Sequence, residues 1–117
     1  MHEKNREYNG WTNYETWNLK LWLDNSIWDI KQSNIFDTNI VQGKIRKICK
    51  KQNNEKDTIY EICEYIKEYV DKGFDNMYLK PSFYSDVLSA SIREVNFYEI
   101  AESYYEDYIY EVKSAWI

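Results

Sequence analysis

One histidine, two cysteines, one proline and three glycines are all that this chain of 117 residues holds of the types that most often carry chemistry or break helices. The histidine is His2, in a polar tail, so a Ser–His or Cys–His nucleophile would need that tail to fold back over the domain. Cys49 and Cys63 form neither a disulfide framework nor a zinc-ligand pattern, and both read as free thiols. Three scattered glycines leave no phosphate-cradling loop. No apolar run approaches the roughly 18 residues of a membrane span. The opening "MHEKNREYNG" is charged throughout, unlike a signal peptide. These absences point to a cytoplasmic, non-enzymatic protein with no metal and no cofactor.

What is present is apolar and aromatic. Hydrophobic residues make up 44% of the chain and aromatic residues 18%, well outside the composition of a disordered segment. A chain of this length buries roughly 65% of its unfolded surface, enough for a core without staples. Few breakers and no alternating run long enough for a central strand predict an all-α fold. The expectation is a compact single-domain bundle of five or six helices with an aromatic-rich core, over 10–117, behind a flexible tail at 1–9.

"GWTNYETWNLKLWLDN" starts the first helix at Thr12, where Thr12 and Glu15 fit a capping box. Tyr14, Trp17, Leu21 and Trp28 fall at helical spacing, widened by Leu19, Trp22 and Leu23. Gly10 suits a turn with positive φ just before the cap. "SIWDIKQS" reads as a second short helix and "SNIFDTN" as a loop. A helix over 39–52 carries Ile40, Val41, Ile45, Ile48 and Cys49. Asp57 caps the next, whose Ile59, Ile62, Cys63, Ile66, Tyr69 and Val70 follow the i, i+3, i+4, i+7 rule, with Gly73 as its C′ residue. Phe74 and Leu79 are expected to reach the core. Ser82 opens a helix with Val87, Leu88, Ser91, Ile92 and Val95 on one side. Asn96 and Glu99 resemble a second capping box, and the last helix turns Ile100, Ala101, Tyr104, Tyr105, Tyr108 and Val112 inwards.

The opening "GWTNYETW…LWLDN" and the later "DVLSASIREVNFYEIAE" together resemble a family of small proteins of unknown function found in bacteriophages, plasmids, bacteria and archaea. Phe97 stands where that family's second motif has a tryptophan, and the middle of the chain, 26–56, matches little. The resemblance implies a mobile-element context and brings no catalytic residues.

Charge is unevenly spread beneath a net −5. Six of the fifteen basic side chains lie in 40–56, against one acidic, while 57–117 holds thirteen of the twenty acidic ones. In the basic stretch, Lys44, Lys47, Lys50 and Lys51 offer a phosphate-binding face. The plainer reading is a solvated helix paired with an acidic neighbour, since a dedicated nucleic-acid domain is usually strongly basic. Cys49 sits among these lysines, which would lower its pKa, yet it also lies on the apolar stripe. In the acidic half, Glu99, Glu102, Glu106, Asp107 and Glu111 on the last helix, and Glu61, Glu64, Glu68 and Asp71 before it, make lines of carboxylates at one-turn spacing. Either set is read as an ordinary solvent face or as a mimic of nucleic acid towards a basic protein. The opening aromatics build core, or leave Trp11, Tyr14 or Trp22 exposed as a stacking platform or anchor.

The sequence therefore predicts an acidic interaction protein of a phage or mobile element. It would inhibit a host nucleic-acid-processing defence system, of the anti-CRISPR or anti-restriction type, by covering its basic surface. The contacts would be Glu99, Glu102, Glu106, Asp107 and Glu111, with Trp11 and Tyr105 as aromatic anchors. The alternative is a small nucleic-acid accessory protein using the basic segment 44–56. A carboxylate-based hydrolase ranks last, because no one pair of acids stands out as acid and base. No membrane partner is expected, and a homodimer through a leftover aromatic patch is a further option.

Overall fold

An Asn-Gly turn and five capped helices make up the structure, a computed structural model that describes residues 7–25, 36–51, 53–76 and 80–115. The turn comes first. Asn9 and Gly10 both have positive φ, 48° and 88°, the combination a two-residue reversal of the chain requires. Tyr8 N donates to Trp11 O at 2.9 Å and Trp11 N to Tyr8 O at 2.7 Å. Tyr8 and Asn9 are thus part of the folded unit, not of a tail ending at residue 9. Tyr8 also packs its ring 5.1 Å from Trp17 and 5.2 Å from Tyr14.

The helices are α1 (Tyr14–Asn25), α2 (Thr38–Lys50), α3 (Glu55–Asn76), α4 (Phe83–Arg93) and α5 (Phe97–Ala115). No strand occurs among the described residues. The all-α expectation holds, with five helices among the described residues. The segment expected to form a short extra helix, "SIWDIKQS", lies outside the described residues, as do Trp28 and Leu79.

Several expected boundaries move, each for a local reason. The cap of α1 is Asn13, whose Oδ1 accepts from Thr16 N at 2.9 Å; the Thr12–Glu15 box does not form, because Thr12 N donates to Glu99 instead. Asn54, not Asp57, caps α3, accepting from Asp57 N at 2.8 Å. Gly73 does not end α3, which continues to Asn76. A helical glycine costs only about 1 kcal/mol against alanine, and the turn beyond it carries half-buried Phe74. The α4 cap is as expected: Ser82 and Ser85 bond reciprocally.

The core lies where α3 and α5 pair most extensively, with α2 against both and α1 closing over α2 and α5. Leu23, Ile48, Ile62, Ile66 and Ile100 are fully buried there. The buried face of α1 is Thr16, Leu19 and Leu23. That corrects the predicted aromatic stripe: Tyr14, Leu21 and Trp22 are exposed and Trp17 is half-buried. Val112, expected inside, is 38% exposed, as the last turns of α5 run past the core. Thr38 fastens α1 to α2 by donating its hydroxyl to Leu23 O at 2.6 Å, and Asp37 N donates to the Tyr69 hydroxyl at 2.8 Å.

The two cysteines are buried. Burial pushes both thiols above their ordinary range, opposed only in part by Arg46 beside Cys49 and Lys67 beside Cys63. The lysines around Cys49 therefore do not activate it. Because the thiolate is the reactive species, labelling by a soluble thiol reagent at pH 8 should be more than about tenfold slower in the native protein than in denaturant. Fast native labelling of either cysteine would contradict its place in the core.

Candidate functional site

The first thing the structure does to the predicted acidic row is divide it. Steps of three or four residues keep a helix face, but Asp107 and Glu111 lie well round the helix from Glu102 and Glu106. Glu99 leaves the row altogether. It is buried, and its Oε1 accepts from Thr12 N at 3.1 Å. There it works on the fold: Asn96 Oδ1 accepts from Glu99 N at 3.0 Å to cap α5, and Asn96 N donates to the Thr16 hydroxyl at 2.9 Å. Asn13 Nδ2 donates to Glu94 O at 2.7 Å. The residues of the two sequence motifs thus lock the N-termini of α1 and α5 together.

Glu102 and Glu106 face an open groove of about 550 Å³ between the start of α3 and the second half of α5. Glu55, in the first turn of α3, faces it from the other side, and Tyr105, Ile109 and Tyr110 add aromatic and apolar lining. Lys113 is the one cation among its lining residues. Burial, then the nearby Glu55 carboxylate, holds the Tyr105 phenol above its ordinary pKa, so it remains a neutral hydrogen-bonding group. Tyr110 is 74% exposed at the groove's edge. Glu55 and Tyr110 went unremarked in the sequence, since only the packing of α3 on α5 brings Glu55 beside residues nearly fifty positions later.

Asp107 and Glu111 line a different, polar cleft towards α2. Glu111 is bonded to Arg46 at 2.7 Å. Deeper in this cleft, Asp24 collects Tyr104 OH at 2.6 Å and Lys20 Nζ at 2.7 Å. Lys20 lies over the Tyr104 ring at 4.6 Å and the Trp11 ring at 5.9 Å. Burial and the Asp24 hydrogen bond raise the Tyr104 pKa strongly, so this cluster is a neutral phenol beneath a closed ion pair. Trp11, predicted as an anchor, is half-buried against the core here and does not line the acidic groove.

The second acidic line is largely occupied by its own neighbours. Glu61 accepts from Lys51, and Glu64 and Glu68 are ion-paired with Lys67 at 3.6 Å and Lys72 at 4.0 Å. Exposed pairs of this kind contribute little to stability, but they cancel charge. On the basic helix, Lys51 and Arg46 are spoken for in the same way, while Lys44, Lys47 and Lys50 are exposed without an ion pair to a described residue. Tyr14 and Trp22 line a third, apolar groove with Phe74, Leu88 and Ile92.

Among the described residues, no group of three or more His, Cys, Asp or Glu side chains is placed to hold a metal ion, and no helix is long and apolar enough to cross a membrane. His2 lies outside them. The chain belongs to a family of unknown function (DUF7249), whose model matches residues 4–113. No curated protein and no solved structure matches it.

Proposed function

We propose that this member of the family is a non-enzymatic interaction protein that docks the basic surface of a partner protein in the groove between α3 and α5. The carrying observation is that three glutamates, Glu55, Glu102 and Glu106, line one open groove with two tyrosines, Tyr105 and Tyr110. Carboxylates at the rim steer a cationic partner and set register, while tyrosine rings supply contact area at small entropic cost. Together with the mobile-element resemblance of the sequence, this favours a partner that itself handles nucleic acid, such as a host defence nuclease whose phosphate-binding channel the protein would cover. The reading retains Glu102 and Glu106 from the predicted set, moves Glu99 to the fold, and adds Glu55.

The test is capture from a nuclease-treated bacterial lysate, read by mass spectrometry, with the wild-type protein and with E102K/E106K. Glu55 is kept so that α3 retains its acidic first turn. Recovery of a basic nucleic-acid-processing protein is expected, falling roughly tenfold to hundredfold in the variant and with rising salt, while circular dichroism is unchanged. Recovery that ignores both changes would overturn the groove as the contact. Recovery that requires intact nucleic acid would instead favour Lys44, Lys47 and Lys50, whose exposure is the observation on the side of direct phosphate binding.

A further inference from the structure

Helix α4 carries apolar residues on two faces: one lines the apolar groove towards α1 and α3, and the other is left exposed by the described residues. Its inner face, Ser85, Leu88, Ile92 and the following Val95, turns towards α1 and α3. Its outer arc is Phe83, Val87 and Ala90 along the middle, closed at its C-terminal end by the exposed cap residue Glu94, with Asp86 and Arg93 on one edge. Phe83 is 74% exposed and Val87 47%. Alone among the helices, α4 has no extensive helix pairing in the described structure.

The charges on this arc indicate what completes it. Asp86 and Arg93 are seven residues apart, which is two turns along one edge, about 10 Å. Neither has an ion pair to a described residue. Arg93 Nη1 donates to Ser89 Oγ at 3.0 Å, which lays the guanidinium along the helix. A two-fold axis perpendicular to the helix, passing between Ser89 and Ala90, keeps each edge on its own side and reverses direction. It sets Asp86 of one copy opposite Arg93 of the other, twice, with Ala90 meeting its counterpart at the axis and Val87 of each copy beside Ala90 of the other, between the two ion pairs. The arc is therefore complementary to its own antiparallel copy, the requirement for an isologous interface.

We propose that the protein forms a two-fold dimer in which α4 packs antiparallel on α4 of a second copy, its register set by reciprocal Asp86–Arg93 pairs. The surface is separate from the α3–α5 groove, so the two proposals stand or fall independently. One short helix pair lies at the small end of specific interfaces, so the association is weak and concentration-dependent.

Sedimentation equilibrium over a concentration series tests this, with D86R, R93D, their equimolar mixture and the double variant D86R/R93D. The wild type should rise from 14.3 kDa towards twice that mass. D86R alone brings four arginines together, and R93D alone four aspartates; each should weaken the dimer at least about tenfold. The mixture and the double variant each restore two opposite-charge pairs and should recover it. A wild type that stays monomeric throughout, or a mixture no better associated than its components, would overturn the proposal. Variants at these exposed positions should keep the wild-type circular dichroism, and the rescue in the mixture separates lost pairing from lost folding.

Discussion

Ile100→Ala is expected to destabilise the protein by about 2–5 kcal/mol, because it opens a cavity where α5 meets the rest of the core. Ile100 is completely buried, and Ala101 and Tyr104 beside it are at most 4% exposed. The helix pairs more extensively with α3 than with any other, and Ile100, Ala101 and Tyr104 belong to the same buried cluster as the stripe of α3. The other fully buried side chains of the cluster, Ile62 and Ile66 among them, are branched and refill a cavity poorly. In a domain of this size the melting temperature should drop on the order of 10 °C or more. Val112→Ala, on the same helix but 38% exposed, should stay within about 1 kcal/mol. Both are measured by urea denaturation. Equal losses at the two positions would mean that α5 buries its whole predicted stripe, and the inward face described here would be wrong.

That contrast marks what periodicity reveals and what it hides. The stripes of α3 and of the first half of α5 were legible because a 3.6-residue repeat of Ile, Val and Tyr has few alternative burials. In α1 the same rule placed Leu19 and Leu23 on a stripe centred on the large aromatics; the two leucines are buried, with Thr16, and the aromatics are not. Tryptophan and tyrosine tolerate a half-exposed position, and Tyr8, Tyr14 and Trp17 satisfy one another as a ring cluster at the surface. Caps were displaced by one to three residues for a similar reason: Thr12 and Asp57 are good caps in isolation, but Asn13 and Asn54 stand at the places where the packed chain turns. Of the candidate site, the acidity of α5 was legible. Its division into a groove face, a cleft face and one buried carboxylate was not, because it depends on which neighbour lies against each side.

The buried carboxylate has a physical logic of its own. The N-termini of α1 and α5 meet, and two helix N-termini bring two partial positive charges together. Glu99 lies between them, accepting from Thr12 N ahead of α1 and standing in the first turn of α5. The rest of the junction is neutral and closed: Asn13 Oδ1 accepts from the Thr16 hydroxyl at 2.6 Å, and that hydroxyl accepts from Asn96 N at 2.9 Å. The motif residues Thr12, Asn13, Thr16, Asn96 and Glu99 are thereby explained by helix capping across the chain ends, with no reaction chemistry required.

Such a junction should behave cooperatively. Thr16 is fully buried, so Thr16→Val keeps the shape but leaves Asn96 N without its acceptor, at a cost of about 1–3 kcal/mol. Asn13→Ala removes the α1 cap and the bond to Glu94 O and leaves the Thr16 hydroxyl without an acceptor; about 2 kcal/mol or more is expected. In the double variant the hydroxyl no longer exists to be left unsatisfied. The combined loss should therefore fall short of the sum by about 1 kcal/mol, within the range of directly contacting pairs. Denaturation of the four proteins in the cycle measures that shortfall. Strict additivity would show that the two side chains act separately, and a Thr16→Val loss below about 0.5 kcal/mol would show that the hydroxyl does not hold α1 to α5. The second result would return Thr16 of the opening motif to the question of function, because a fold-level reason for its hydroxyl would then be missing.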